Sequence, residues 1–173
     1  IADIGSGILG PAKIWSSQHP SLQISSINVN FSQLASVNSG NISKINSTAR
    51  MLPFSDSSLD RIIALESAQH FKPIGDFFSE SNRVLKDDGV LALAIPTATD
   101  NSSFSNLGIL KFTWSSEHYS QKNIFDELSK NRFEIIESND IGKNVYSPLA
   151  EYYINHRSEL QKKILSRYSK YVE

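Results

Sequence analysis

The fold is decided by the stretch Ile1-Ala2-Asp3-Ile4-Gly5-Ser6-Gly7-Ile8-Leu9-Gly10. Its first four residues predict the end of a strand, and Pro11 then opens a short helix that reaches about His19. Glycines between a strand and a helix let the backbone approach a ligand, and the start of the helix offers unpaired N–H groups. We therefore expect a nucleotide or anion site at this turn.

Strands and helices alternate through the rest of the chain. Further strands are predicted over residues 22–29, 42–45, 61–65, 90–95 and 133–137, and helices over residues 31–37, 74–85 and 120–131. A turn is predicted at Asp87-Asp88-Gly89. The tail carries an amphipathic stripe of Leu149, Tyr153, Leu160, Ile164, Tyr168 and Tyr171. The alternation predicts one α/β domain over residues 1–173, with a mostly parallel sheet covered on both faces.

Composition narrows the class of protein. The chain has 173 residues with 17 Lys and Arg against 18 Asp and Glu, which gives no support for a nucleic-acid partner. The absence of cysteine excludes disulfides and thiolate metal sites. The longest apolar run, residues 90–95, is too short to span a bilayer. We therefore expect a cytoplasmic protein without a membrane or nucleic-acid partner, and its oligomeric state stays open.

The glycine turn alone allows two interpretations. Gly5, Gly7 and Gly10 match the G-x-G-x-x-G fingerprint of dinucleotide-binding proteins. That fingerprint also expects an acidic residue about 20 positions further on to hold the ribose. The predicted second strand supplies neutral Asn28 instead. A nicotinamide-dependent oxidoreductase would need an acid or an arginine there, so we rank it last.

Four segments separate the interpretations. They follow one another as Asp3-Ile4-Gly5-Ser6-Gly7, Asn28-Val29-Asn30-Phe31-Ser32-Gln33, Met51-Leu52-Pro53-Phe54-Ser55-Asp56-Ser57-Ser58-Leu59-Asp60 and Arg83-Val84-Leu85-Lys86-Asp87-Asp88-Gly89. In this order they resemble class I S-adenosylmethionine-dependent methyltransferases, in particular the type 11 group and its sterol, sugar and natural-product members. The resemblance implies a Rossmann-like, doubly wound sheet of strand order 3-2-1-4-5-7-6. It also implies an enzyme that transfers a methyl group from S-adenosylmethionine to an O, N or C atom of a small molecule.

The resemblance also has consequences for the ends of the chain. The sequence begins with the end of a strand rather than with Met, and it offers candidates for strands 1 to 6 only. We therefore expect a domain that is truncated at both ends, starting inside strand 1 and stopping before strand 7.

The same resemblance implies cofactor-binding residues at the carboxyl ends of strands 1, 2 and 4. The methionine half would lie near the glycine turn, the ribose near the end of strand 2 and the adenine after strand 3. The residues concerned are Asp3, Gly5, Ser6, Gly7, Asn28, Val29, Thr48, Ala49, Arg50, Leu65 and Glu66. Gln33, just after strand 2, is interpreted as a helix-capping or surface residue.

A histidine supplies the candidate for catalysis. The segment Leu65-Glu66-Ser67-Ala68-Gln69-His70-Phe71 resembles the part of sugar and natural-product O-methyltransferases in which a histidine acts as base. Histidine suits that task because it exchanges protons near neutral pH. His70 is therefore the catalytic candidate, and the competing interpretation is a histidine that only packs in a loop.

Three positions depart from the family pattern. Leu9 stands where a third glycine is usual, Asn28 where strand 2 normally ends in an acid, and Thr48 where an acid usually meets the adenine amine. These departures motivate an alternative function, a non-catalytic nucleoside-binding module of the same fold.

The remaining polar and aromatic residues carry less information. His118 beside Glu117, and His156 in the tail, lack partners at metal-ligand spacing, so we expect no metal site. Phe104, Phe112 and Trp114 either line an acceptor pocket or fill the core.

Overall fold

The computed structural model describes residues 1–97, 119–160 and 162. Two compact units are present, residues 1–135 and residues 136–173, and each is described by itself. The single domain expected over residues 1–173 stays a prediction. Several residues of the sequence analysis lie outside the described ranges, namely Phe104, Phe112, Trp114, Glu117, His118, Ile164, Tyr168 and Tyr171.

The first unit is built on a parallel sheet. Its strands are β1 (Ala2–Ile4), β2 (Ser25–Asn28), β3 (Ser43–Asn46), β4 (Leu59–Leu65) and β5 (Leu85–Ala94). They lie in the order β3-β2-β1-β4-β5, and every neighbouring pair is parallel. Parallel neighbours require crossover connections, which the alternating sequence provides. The expected Rossmann-like α/β class is confirmed, together with the strand order over these five strands.

Helices cover both faces of the sheet. The helices of the first unit are α1 (Gly10–Gln18), α2 (Phe31–Ala35), α3 (Ile74–Val84) and α4 (Gln121–Lys130). The chain steps one way along the sheet through α1 and the other way through α3, so right-handed crossovers place these two helices on opposite faces. One core cluster accordingly joins the sheet to α3 and α4, and it includes Ile4, Ile27, Ile62, Ala64, Phe77, Phe78 and Ile124. A second joins it to α1 and α2, and it contains Leu9, Ala12, Ile24, Leu34 and Ile42.

The turn predicted at Asp87-Asp88-Gly89 is wrong, because these residues belong to β5. Leu59 pairs with Leu85 and Arg61 with Val90, so one residue of β4 lies opposite four residues of β5. The surplus residues are absorbed as an irregularity of the strand. A Cβ atom at Gly89 would lie 2.8 Å from the Lys86 carbonyl oxygen, so the compact backbone there requires glycine.

The strand predicted over residues 133–137 is also wrong, since none is present there. Arg132 adopts a left-handed conformation (φ 64°) at the end of α4, and the Phe133 N–H donates to the Leu128 carbonyl at 3.0 Å. This arrangement closes the helix. It turns Phe133 against Phe78, with ring centroids 6.4 Å apart, and so removes it from extended pairing.

The second unit contains α5 (Gly142–Asn155), which has Pro148 in its interior and buries none of its side chains. Leu149 and Tyr153 of the predicted stripe are 60% and 50% exposed. Among the described helices, none has the length and apolar character needed to cross a membrane.

Candidate functional site

A cleft of about 640 Å³ lies at the carboxyl ends of the strands. Open α/β sheets generally bind ligands at this edge. Its walls come from the glycine turn after β1, the end of β2, the loop after β3 and the loop after β4. The lining residues are Ile4, Gly5, Gly7, Ile27, Asn28, Val29, Asn30, Gln33, Ser47, Thr48, Ala49, Arg50, Glu66, Ser67, His70, Phe71 and Lys72.

The glycine turn forms one wall. Gly5 and Gly7 have φ values of 76° and 53°, a backbone region that strongly favours glycine. The N–H groups of Gly5 and Ser6 donate to the Ile27 carbonyl at 2.8 and 3.1 Å, which ties the turn to β2. A Cβ atom at Gly7 would meet nothing within 4 Å, so the backbone there is open to a ligand.

Leu9 occupies the position at which the family pattern has glycine, and its backbone explains the preference. Leu9 is left-handed (φ 65°) as it enters α1, a conformation that costs a non-glycine residue about 1–2 kcal/mol. Its side chain is fully buried in the second core cluster. Burial of a leucine contributes about 1.5–3 kcal/mol, which offsets the backbone cost.

Three residues predicted to contact the cofactor do not line the cleft. Asp3 and Ser6 are 2% and 7% exposed and lie within the fold, whereas Leu65 is 42% exposed but is not among the residues that line the cleft. Burial raises the pKa of the Asp3 carboxyl from 3.8 to about 6. The position of Asp3 in the second residue of a three-residue strand accounts for its burial between β2 and β4.

Asn28 joins the glycine turn to α2. Its Nδ2 donates to the Gly7 carbonyl at 3.2 Å and to Gln33 Oε1 at 2.8 Å. Its Oδ1 accepts from the Asn30 N–H at 3.3 Å. Both donors of the amide are therefore committed, and its carbonyl oxygen remains the group that a ligand hydroxyl could use.

Gln33 is exposed, lines the cleft and accepts a hydrogen bond from Asn28 through its Oε1. Its interpretation as a helix-capping or surface residue stays a prediction. Its position, five residues after Asn28 in the first turn of α2, is the sequence signal for this contact. Other lining residues were not predicted from the sequence, namely Ile27, Asn30, Ser47, Ser67, Phe71 and Lys72.

The loop after β3 forms the third wall. Thr48, Ala49 and Arg50 all line the cleft, as expected. Thr48 Oγ1 accepts from the Arg50 N–H at 3.2 Å, which closes a tight turn. The Arg50 guanidinium lies 3.8 Å from the Asp76 carboxylate at the start of α3, and both side chains are half-exposed.

The loop after β4 carries the catalytic candidate. Glu66 is left-handed (φ 51°), and its N–H donates to the Ala94 carbonyl at 2.8 Å. A short 3₁₀ turn, Ala68–His70, follows, and the Gln69 side-chain amide donates to the Glu66 carbonyl at 2.9 Å. His70 is exposed and lines the cleft. The arrangement therefore places a proton-exchanging side chain on a wall of the cleft.

A comparison with known families identifies this architecture. The sequence profile described as a methyltransferase domain matches residues 2–93, which include β1 to β4 and all of β5 except its last residue, Ala94. The chain belongs to the methyltransferase domain family. The profile match thus confirms the family resemblance that the four ordered segments predicted.

Two curated relatives place the domain among enzymes with different acceptors. It is 31% identical over 136 residues to the erythromycin 3''-O-methyltransferase of Saccharopolyspora erythraea, covering 69% of this chain. It is 28% identical over 159 residues to the sterol 24-C-methyltransferase of Kluyveromyces lactis, covering 83% of this chain. The matches span 43% of the length of each relative.

A solved structure supports the same fold. Phosphoethanolamine N-methyltransferase 2 of Haemonchus contortus, in complex with phosphomonomethylethanolamine and S-adenosylhomocysteine, superposes with a TM-score of 0.77. The superposition covers 95% of this chain and 40% of that chain at 20% identity. At this identity the likeness extends to the fold alone.

Proposed function

We propose that the protein binds S-adenosylmethionine in the cleft and transfers its methyl group to a small-molecule acceptor, with His70 as general base. One observation carries the proposal. The cleft brings the glycine turn, Asn28, the loop at residues 48–50 and His70 to one edge of the sheet. The net charge of −1 favours a small-molecule substrate over a nucleic acid. We also expect a cytoplasmic location.

The lining fits the proposed cofactor. A volume of about 640 Å³ lies within the range of about 300–1,000 Å³ that is usual for small-molecule sites. The open backbone at Gly7 would meet the methionine half of the cofactor. Glu66, in the loop after β4, would meet the same half. The Asn28 carbonyl oxygen and the Gln33 amide would hold the ribose hydroxyls. Thr48, Ala49, Arg50 and Val29 would surround the adenine.

The proposed reaction is an in-line displacement. S-adenosylmethionine supplies a methyl group on a positively charged sulfur, which becomes the neutral thioether of S-adenosylhomocysteine when the carbon–sulfur bond breaks. The acceptor atom forms the new bond to the methyl carbon and gives its proton to the His70 imidazole. Positioning of the acceptor provides much of the rate, and a positioned base adds about 10²–10⁴-fold.

Calorimetry with S-adenosylhomocysteine tests cofactor binding, and a panel of small alcohols, amines and carbon acids with methyl-labelled S-adenosylmethionine tests transfer. We expect His70→Gln to bind S-adenosylhomocysteine with an unchanged dissociation constant and to lose at least about 10²-fold in transfer rate. His19→Gln is the matched control, because His19 is an exposed histidine outside the cleft. A wild-type protein that fails to bind S-adenosylhomocysteine would contradict the proposal.

A second candidate is a non-catalytic nucleoside-binding module of the same fold. The commitment of both Asn28 donors to Gly7 and Gln33 favours it, because a neutral amide in internal bonds replaces the usual acid. This candidate predicts binding of S-adenosylhomocysteine without labelled product from any member of the panel. Labelled product that depends on His70 would exclude it.

A further inference from the structure

Ser67 connects the loop after β4 to the end of β1 and the glycine turn. It is 6% exposed and lies directly between Glu66 and the 3₁₀ turn that carries His70. Its Oγ donates to the carbonyl oxygen of Ile4 at 2.7 Å, in a buried bond that spans 63 residues of sequence. Ile4 is the last residue of β1, so this side chain bridges the ends of β1 and β4.

The glycine turn rests on the same side chain. A Cβ atom at Gly5 would lie 2.4 Å from Ser67 Cβ and 2.9 Å from Ser67 Oγ. Since real Cβ atoms do not approach other atoms so closely, Gly5 and Ser67 leave no space between them. The backbone of the turn is therefore held against Ser67 by packing as well as by the hydrogen bond to Ile4.

The backbone of Ser67 also supports His70. Its carbonyl oxygen accepts from the His70 N–H at 3.0 Å, which forms the 3₁₀ turn. One residue thus fixes the turn that would hold the cofactor and the turn that carries the proposed base. A displacement of Ser67 would change the separation of the two.

We infer that Ser67 is a positioning residue that sets the placement of His70 relative to the bound cofactor. This inference rests on the proposed function. Ser67 acts through Ile4, Gly5 and His70 and takes no proton itself. Its hydroxyl holds the end of β1, and its carbonyl oxygen holds the turn that carries His70. Binding of the cofactor and orientation of the base are therefore coupled.

The test compares Ser67→Ala with Ser58→Ala in the purified protein. Ser67→Ala removes the hydroxyl and keeps the Cβ atom that packs against Gly5. Ser58→Ala is the matched control, because Ser58 is exposed and its Oγ makes one local bond to the Ser55 carbonyl at 2.6 Å. We measure the dissociation constant of S-adenosylhomocysteine by calorimetry and the ring resonances of His70 by NMR, with and without S-adenosylhomocysteine.

In the wild type and in Ser58→Ala, we expect S-adenosylhomocysteine to shift the His70 ring resonances. In Ser67→Ala, we expect the dissociation constant to rise about tenfold, because the released glycine turn must then be ordered on binding at a cost comparable to one hydrogen bond, and the ligand-induced shift of His70 to be largely lost. A variant that is less stable but still folded would keep the ligand-induced shift of the His70 resonances, so loss of this shift indicates a positioning role. Ser67→Cys, which retains a weak donor, should give intermediate values and serves if Ser67→Ala fails to fold.

The outcomes separate the inference from the proposed function. If the wild type binds S-adenosylhomocysteine and Ser67→Ala shows the same affinity and the same His70 shift, the inference is overturned and the proposed function stands. If the wild type does not bind S-adenosylhomocysteine, both are overturned.

Discussion

Asn28 shows how one amide can replace the usual acid at the end of strand 2. An aspartate there would accept hydrogen bonds only, whereas the Asn28 amide also donates to Gly7 and Gln33. The residue therefore ties the glycine turn to the first turn of α2 from within the cleft. The neutral side chain holds the site together through two donated bonds that a carboxylate could not make.

We predict that Asn28→Ala weakens binding of S-adenosylhomocysteine by about tenfold or more, since it releases the glycine turn and removes the proposed ribose acceptor. Calorimetry measures the effect. Asn41→Ala is the matched control, because Asn41 is exposed and its Oδ1 accepts from Ser16 outside the cleft. Equal affinities of the two variants would contradict a role for Asn28 in binding.

Asp3 makes folding stability depend on pH. Burial raises its pKa from 3.8 to about 6, and Oδ2 has no hydrogen-bond partner among the described residues. The folded state thus favours the protonated carboxyl. Its stabilising effect is complete below the unfolded pKa and is lost as pH rises through about 6, where the buried carboxyl becomes charged.

We predict that Asp3→Asn is stabilised relative to the wild type as pH rises from about 4 to about 7, by on the order of 2 kcal/mol. Urea unfolding at several pH values gives this difference in the free energy of unfolding. Asp60→Asn provides the control, since a hydrogen bond from Lys86 lowers the pKa of exposed Asp60, so its contribution is lost only as pH falls below this range and its difference from the wild type stays nearly constant within it. A difference between Asp3→Asn and the wild type that does not vary with pH would refute the prediction.

At the scale of the elements, Arg83 fastens the connection before β4 to α3. Its guanidinium donates to the carbonyl oxygens of Leu52 and Phe54, both at 3.0 Å, and to the Asp56 carboxylate at 2.7 Å. It also binds Glu80 at 2.8 Å and lowers the pKa of that carboxyl. The Glu80 carboxylate in turn accepts from the Leu52 N–H at 2.9 Å. The family segment at residues 51–60 is therefore hydrogen-bonded to Arg83, the first residue of the family segment at residues 83–89.

We predict that Arg83→Lys lowers the free energy of unfolding by about 1–3 kcal/mol, because an ammonium group cannot reproduce a planar fork with several acceptors. Thermal or urea unfolding measures the loss. Arg61→Lys is the matched control, since exposed Arg61 donates to the carbonyl of its neighbour Asp60 and makes no other side-chain hydrogen bond to the described residues. Similar stability of both variants would show that the fork contributes little.

At the scale of the whole molecule, the buried residues among those that the structure describes belong to the first unit. Every buried hydrophobic side chain in the described ranges lies at or before Ile124, and both core clusters fall within residues 1–135. The cleft is also lined by residues of that unit alone. The described core and the cleft therefore both lie within the first unit.

We predict that a chain ending at Ile135 keeps the affinity for S-adenosylhomocysteine and melts within about 4 °C of the whole chain, a change of at most about 1 kcal/mol. Calorimetry measures both quantities. A chain ending at residue 97 is the control, because it loses Ile124 from the core and Phe133 from its contact with Phe78. Loss of binding in the chain ending at Ile135 would mean that the second unit contributes to the site.

Much of the site was predictable because its elements are defined locally. Asn28 ends a strand that hydrophobic patterning finds, and the glycine turn, the loop at residues 48–50 and His70 each follow one. Parallel strands end at one edge of the sheet, which brings these residues together. Ser67 was missed because its contacts depend on partners distant from it in sequence, and the contact of Gln33 with Asn28 depends on side-chain direction. Ser67 meets Ile4 across 63 residues, which no local pattern records.

The sequence by itself determined the α/β class, the glycine turn and the family, since hydrophobic periodicity and short motifs are properties of neighbouring residues. Only the tertiary structure decided which polar side chains are buried, which line the cleft and which predicted elements form. Phe133 illustrates the reason. Its pattern predicts a strand, but packing against Phe78 and the closure of α4 give it more favourable contacts than an unpaired strand would. Where the local preference of a segment for a strand conflicts with contacts to residues distant in sequence, the packing of the core decides which structure forms.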